Sequence, residues 1–185
     1  AASLPELRTL VCRGEGGDDA VVDGGGMGVL PISALRTGRS EPVDVVVEPA
    51  DIALLIYTSG TTGPSKGCML PHAAICNNAR QLIDVLDLTE RDTYWTPLPL
   101  FHMNGIAAAV VGAPMVGARC AVAPRFSLSG FWPEIERTGA TAACLIGSMI
   151  VLVLNAGKTA EANRCFGQLR AVFGAPFPED VKAAW

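Results

Sequence analysis

The chain has 185 residues, half of them apolar, which fits one ordinary domain with side chains enough for a buried core. Fourteen basic residues against eighteen acidic ones leave a formal charge of −4 without any basic cluster interleaved with aromatics, so no nucleic-acid partner is expected. The six cysteines form no C-x-x-C pair, which argues against a zinc site or a disulfide framework and reads as thiols in a reducing, cytoplasmic compartment.

Residues 1–50 read as a lead-in segment. They hold one strand at 7–12, a Gly/Asp-rich turn at 14–19 and a glycine cluster at 24–28. The first residues lack the basic patch and apolar run of a secretory signal. The cluster is not a dinucleotide fingerprint, because Pro31 stands where a third glycine is wanted, and it reads as a solvated turn.

From Asp51 onward, short apolar runs alternate with longer helical patterns. That alternation predicts an α/β fold, a mostly parallel sheet flanked by helices. A buried strand is expected at 52–58. After a turn at Pro71-His72, a helix is expected over 77–88, where Ala79, Leu82, Ile83 and Leu86 recur at three and four residues. A strand at 93–96, a loop through Pro97 to His102, a helix at 105–116 and a strand at 118–123 follow.

Two stretches, 105–122 and 140–154, are apolar enough to suggest a membrane. Pro114 and Arg119 break the first, and the second falls short of the ~20 residues of a spanning helix, so no transmembrane segment is expected. Ser127 reads as the N-cap of a helix running to Arg137, with Trp132 and Ile135 facing inward, Glu134 in an early turn and Gly139 as its stop. A strand at 142–146, a helix at 148–155 stopped by Gly157, a strand at 169–173 and the start of a further helix complete the reading.

The strand at 52–58 runs directly into Thr58-Ser59-Gly60-Thr61-Thr62-Gly63-Pro64-Ser65-Lys66-Gly67. The three glycines let the backbone fold tightly around an anion. Thr58, Ser59, Thr61, Thr62 and Ser65 supply hydroxyl donors and Lys66 a full positive charge, a donor set suited to phosphate oxygens. The loop is not a Walker A sequence. Ser65 stands where that motif needs glycine, and Gly67 where it needs the hydroxyl that holds Mg²⁺, so a metal must be placed by other means. The plain alternative is a Gly/Ser/Thr-rich surface loop with an incidental lysine.

Beginning at Tyr57, these eleven residues resemble the signature of the adenylate-forming, AMP-binding superfamily: acyl-CoA synthetases, the adenylation domains of peptide synthetases, and luciferases. A second segment, Pro97-Leu98-Pro99-Leu100-Phe101-His102-Met103-Asn104-Gly105, is similar to the family's Leu-Pro-Leu-Phe-His stretch. A third, Phe173-Gly174-Ala175-Pro176-Phe177-Pro178, is similar to its Gly-x-Pro stretch. Pro124 to Trp132, with its Phe-Ser-x-x-x-Phe-Trp order, resembles the branch that contains crotonobetaine/carnitine-CoA ligase. The resemblance covers 51–185 as a partial AMP-binding domain, an incomplete part of the large N-terminal domain of such enzymes.

The resemblance implies a ligase that takes ATP, Mg²⁺, a carboxylic acid and CoA. It implies that Thr58, Ser59, Gly60, Thr61, Thr62, Gly63, Ser65 and Lys66 grip phosphates and that Gly174, Ala175 and Pro176 lie against adenine. Lys66 and His102 become the catalytic candidates, and His102, Met103, Gly105, Gly147 and Ser148, with Leu145, Ile146 and Met149, line the acyl pocket, although an ordinary strand-to-helix junction at 145–149 reads the same way. Read from the residues, His102 can equally be a histidine packed at a strand end, and His72 a capping or surface residue. No G-x-S-x-G elbow surrounds any serine, so Ser59 and Ser65 are phosphate donors and not nucleophiles. The family's metal-binding glutamate, ribose-binding aspartate, hinge and C-terminal lysine are not found after Phe177. The chain is therefore expected to be an internal piece, inactive alone. Two other readings stay open: an adenylation domain that loads a carrier protein, and a non-catalytic nucleotide-binding or scaffold piece. Neither the acid nor the oligomeric state is legible.

Overall fold

A computed structural model describes residues 42, 44–58, 63–174 and 176, together with the backbone of 9–12 and 28–31. The chain divides into two compact units, Ala1–Val46 and Val47–Trp185. In the first, β1 (Thr9–Cys12) pairs in parallel with β2 (Gly28–Pro31), Thr9 opposite Gly28 and Cys12 opposite Pro31. Gly28, expected in a solvated turn, opens a strand instead. The run Gly28-Val29-Leu30-Pro31 finds a partner ladder in β1, and pairing overrides glycine's weak local preference. The turn at 14–19 and most of the glycine cluster lie outside the described residues.

The second unit opens with an antiparallel hairpin of β3 (Ile52–Thr58) and β4 (Lys66–Pro71), Thr58 facing Lys66 and Leu55 facing Met69. The sequence reading had no strand at β4. Its residues become one because β3 offers a hydrogen-bonding edge beside them. Helix α1 (His72–Leu86) follows without a turn, five residues earlier than the periodicity predicts, with Pro71 extended at its N-cap and Asp87 left-handed (φ 47°) at its C-cap. Proline suits that position because it cannot donate into a helix and fixes an extended entry. Ile75, Ala79, Leu82 and Leu86 form its buried stripe.

Strands β5 (Thr93–Thr96), β6 (Arg119–Val122), β7 (Ala142–Leu145) and β8 (Ala171–Gly174) form a parallel sheet in the order β6-β5-β7-β8. Successive side chains leave opposite faces, so Tyr94 enters one core and Trp95 the other. The Tyr94 core holds Leu82, Leu86, Leu98, Ala107, Ala108, Ala142 and Cys144 beneath α1. The Trp95 core holds Phe131, Ile135, Ala143, Leu145, Ile150 and Val153 beneath α3 (Phe131–Thr138) and α4 (Gly147–Asn155). Trp95 meets the edge of Phe131 at 5.5 Å between ring centroids.

Three local expectations are corrected. The helix expected at 105–116 is a π-helix over Gly105–Gly112, continuing as the short α2 (Ala113–Met115). Its Ala107, Ala108, Ala109 and Gly112 are buried, and a Cβ on Gly112 would stand 3.6 Å from that of Ala79 in α1. Ser127 does not cap α3. Its Oγ accepts from Gly130 N at 3.2 Å in a turn, and Gly130 holds the N-cap position. Helix α5 (Ala160–Arg164) was not anticipated, although Thr159, whose Oγ1 accepts from Ala162 N at 3.1 Å, and Glu161 are ordinary start signals.

Gly139 does stop α3, at φ 66°, and a Cβ there would meet nothing within 4 Å. Its requirement is therefore one of backbone angle alone. Gly139→Ala in the full-length protein is expected to cost about 1–2 kcal/mol, read as a lower denaturant midpoint with unchanged activity per folded molecule.

The lower ends of three strands are tied together by one carboxylate. Asp92 accepts from Thr89 N (2.9 Å), Thr89 Oγ1 (3.1 Å), Thr141 Oγ1 (2.6 Å) and, bidentately, Arg170 Nε (3.0 Å) and Nη2 (2.8 Å). Arg170 also donates to the carbonyls of Leu86 (2.8 Å) and Asp87 (2.7 Å), the otherwise orphaned end of α1. The Arg170 guanidinium, followed by the Thr141 and Thr89 donors, holds the Asp92 carboxyl well below the usual carboxylate range against the opposing effect of burial.

Candidate functional site

Strands β5 and β7 are neighbours, but their chains leave the sheet on opposite faces. After β5 the chain enters the π-helix above the Tyr94 core; after β7 it enters α4 above the Trp95 core. Where two adjacent parallel strands diverge in this way, their carboxyl ends leave a crevice, the usual ligand position in open α/β sheets. The crevice here is a cavity of about 320 Å³ lined by Leu98, His102, Met103, Asn104 and Ile146.

Each lining residue has a structural reason for its place. Thr96, at the end of β5, donates from Oγ1 to Cys144 O of β7 at 3.3 Å and accepts from Leu98 N at 3.1 Å. The loop beyond is folded by His102 N donating to Pro99 O at 3.1 Å, and His102 O accepts from Ile106 N at 3.1 Å. His102 is exposed and tilts against Phe101 at 4.7 Å between ring centroids. Ile146 is extended at the N-cap of α4, and its carbonyl accepts from Met149 N and Ile150 N. The result is an apolar wall of Leu98, Met103 and Ile146 with two polar groups, His102 and Asn104, of the kind that orients a small organic ligand.

Of the residues named for an acyl pocket, the structure brings His102 and Met103 to this cavity. Gly105 is buried and does not line it. Gly147 and Ser148 begin α4 just past Ile146, the first buried and the second exposed, and neither lines the cavity. Gly174 ends β8 opposite Leu145, and Pro176 is exposed beyond it, so this segment emerges at the same carboxyl edge, on the β7 side. Ala175 lies outside the described residues. Ile146, named through the family resemblance among the pocket residues, lines the cavity, whereas Leu145 and Met149 do not; Asn104 had no assigned role. Asn104 carries no signal beyond its place in the loop, and strand order is what brings Ile146 beside His102.

The phosphate loop is the connection between β3 and β4, beside the Thr58–Lys66 pair. Thr58 Oγ1 donates to Lys66 O at 3.5 Å, while Gly63, Ser65 and Lys66 are exposed. Among the described residues Lys66 makes no ion pair. Ser59, Gly60, Thr61 and Thr62 lie outside the described residues. Leu54 of β3 and Leu70 of β4 pack on the Tyr94 core and anchor the hairpin. Among the described residues no group of three His, Cys, Asp or Glu side chains could hold a metal ion. His72 is exposed; its backbone N donates to Asp51 O at 3.0 Å and its side chain caps nothing.

A larger opening, about 420 Å³, is walled by Leu128, Ser129, Trp132, Pro133, Ala156, Thr159 and Glu161. Its one charged group, Glu161, is paired with Arg164 at 3.4 Å, and no residue of the phosphate or histidine loops reaches it. Chemistry favours the smaller cavity. Burial raises the pKa of the Cys120, Cys144 and Cys165 thiols, which favours their protonated form.

Comparison with known proteins bears on this geometry. The family described as AMP-binding enzyme matches residues 6–185. The human long-chain fatty acid transport protein 5 is 34% identical over 145 residues, covering 74% of this chain and 20% of that protein. The indoleacetate–CoA ligase of Aromatoleum aromaticum is 34% identical over 119 residues, 64% of this chain and 23% of the ligase. Among solved structures, the o-succinylbenzoate CoA synthetase of Bacillus subtilis in complex with its acyl-adenylate intermediate is 26% identical. It superimposes with a TM-score of 0.66 over 80% of this chain and 30% of that one. The chain thus spans only about a fifth to a quarter of the curated relatives' length. No described helix is long and apolar enough to cross a membrane.

Proposed function

Because the chain belongs to the family of AMP-binding enzymes, we propose that the full-length protein is an acid–thiol ligase, which joins a carboxylic acid to CoA at the expense of ATP. The observation that carries this reading is the pairing of two sites on one unit. Lys66, exposed and without an ion-pair partner among the described residues, stands at a hydroxyl-rich loop, and a cavity holding His102 opens at the switch point of the sheet. The names of the relatives support it, since both a CoA ligase and a CoA synthetase with a bound acyl-adenylate are similar to this chain.

In the proposed reaction the carboxylate attacks the α-phosphorus of ATP and pyrophosphate leaves. Thr58, Ser65 and Lys66, with Ser59, Gly60, Thr61, Thr62 and Gly63, hold the β and γ phosphates, and Lys66 offsets the charge that grows on the departing pyrophosphate. His102 and Asn104 orient the carboxylate while Leu98, Met103 and Ile146 exclude water from its acyl side. Gly174, Ala175 and Pro176, at the adjacent strand end, lie along the adenine. The thiol of CoA then displaces AMP and takes the acyl group. Mg²⁺, when bound, would neutralise phosphate charge.

The three similar proteins are named for different acids, and the stretch 124–132 that resembles carnitine-type ligases shares no residue with the His102 cavity. The proposal is accordingly for a carboxylic acid of open identity. A cytoplasmic setting suits the five cysteines whose side chains are described, all free thiols. Carboxylate-dependent ATP–pyrophosphate exchange by the full-length protein, followed by CoA or a carrier protein as acceptor, tests the reading. Exchange and a CoA thioester are expected, a thioester with the carrier alone would redirect it to a carrier-loading enzyme, and no exchange with any acid would overturn it. Residues 1–185 expressed alone are expected to show no exchange.

A further inference from the structure

Gly105 is buried and a Cβ built on it would stand 2.5 Å from the Pro99 carbonyl oxygen, 3.1 Å from the carbonyl carbon and 3.4 Å from Leu100 Cα. These are backbone atoms, which cannot swing aside as the tip of a side chain can. The glycine is not required for its backbone angle, since its φ lies outside the positive region that favours glycine. It is required for space. The oxygen that a Cβ would displace is the one that accepts from His102 N at 3.1 Å. The next residue, Ile106, donates to His102 O at 3.1 Å, so the backbone of His102 is held on both sides by groups adjoining Gly105.

We propose that Gly105 is a positioning residue: by letting the first turn of the π-helix lie against the Pro99 carbonyl, it sets where the His102 side chain stands in the switch-point cavity. The proposal rests on the reading of that cavity as the acid site. A methyl group at 105 forces the Pro99 carbonyl outward and loosens the turn over residues 99–102. The imidazole then moves relative to Leu98, Met103 and Ile146, and the acid loses its orientation. The phosphate loop belongs to a separate hairpin and is left as it was. A displacement of about 1 Å in a catalytic group lowers turnover by up to about a hundredfold, so a change outside the cavity wall has a measurable effect.

The test is a double-mutant cycle in the full-length protein, read by carboxylate-dependent ATP–pyrophosphate exchange. His102→Ala is expected to lower the rate at least about tenfold. Gly105→Ala is expected to lower it comparably, with the KM for ATP changed by less than about twofold and the KM for the acid raised. The double variant is expected to be no slower than His102→Ala alone, because a residue that acts through His102 has nothing left to act on. Multiplying effects, or a Gly105→Ala variant at the wild-type rate, overturn the proposal while leaving the acid site in place. A His102→Ala variant at the wild-type rate, or a wild-type protein without exchange, overturns the acid-site reading and this proposal with it. Circular dichroism checks the fold. If Gly105→Ala does not fold, Pro99→Gly takes its place in the cycle, since it loosens the same turn without adding an atom, and additivity with His102→Ala again decides against positioning.

Discussion

Replacing Lys66 by alanine in the full-length protein is expected to slow acyl-adenylate formation by roughly ten- to a hundredfold, the equivalent of the about 1.5–3 kcal/mol that one charge-assisted hydrogen bond contributes. The loss should appear in kcat, because the charge on the leaving pyrophosphate grows towards the transition state. Lys66→Arg should retain part of the rate, since it keeps the charge but changes the shape of the donor. The substitution should not disturb folding. Lys66 is exposed, its side chain has no ion-pair partner among the described residues, and its contacts within the hairpin are those of the backbone. A Lys66→Ala protein with wild-type exchange would remove the lysine from the chemistry and leave the loop as a surface turn.

Asp92→Ala is expected to cost about 2–3 kcal/mol of stability, seen as a lower denaturant midpoint. The carboxylate is 6% exposed at its side chain and gathers donors from Thr89, Thr141 and Arg170. Removing it leaves the Thr89 and Thr141 hydroxyl donors and two of the Arg170 N–H groups without their acceptor, while Arg170 keeps the Leu86 and Asp87 carbonyls. The Arg170 side chain is 37% exposed, so water re-solvates part of its charge, and the cost stays below that of a fully enclosed pair.

The same group gives an acid limb to the stability. Arg170 first, then the hydroxyl and backbone donors, hold the folded Asp92 carboxyl below its ordinary value, so the folded state binds fewer protons there than the unfolded chain. Its stabilisation is complete above the unfolded value of about 3.9 and is lost as pH falls from there towards the folded value. Asp92→Asn keeps the shape and loses the charge. The variant should be less stable near neutrality and should lose this portion of the slope below about pH 4. Equal slopes in the two proteins would place the acid sensitivity elsewhere.

Much of the second unit was legible because its elements follow from side-chain periodicity and local stops. The bounds of β5 were read to the residue, Gly139 stops α3 with the positive φ that glycine alone accepts without strain, and the stripe of Ala79, Leu82 and Leu86 buries one face of α1. The failures have a common cause. Strand β4 exists because β3 lies beside it, and the π-helix sits where small residues pack on α1; neither neighbour is visible in a local window. Ser127 has the chemistry of a cap, but its hydroxyl serves the turn at Gly130.

The candidate site divides along the same line. Lys66 and the hydroxyls of the phosphate loop were legible as a phosphate grip, since a charge, donors and pliant glycines are properties of the residues themselves. So was His102 as a candidate, through the segment that contains it. Met103 and Ile146 were named for a pocket through the family resemblance alone; that they share one cavity with His102 was not legible in the residues themselves. Ile146 lies 44 positions further along the chain, and it meets His102 because the sheet runs β6-β5-β7-β8 and the two central strands send their chains to opposite faces. Gly105 changed role for a similar reason. Within the sequence it stands next to the pocket residues; in space the Pro99 carbonyl fills the place of its absent side chain, a contact that arises only when the loop closes back on the helix.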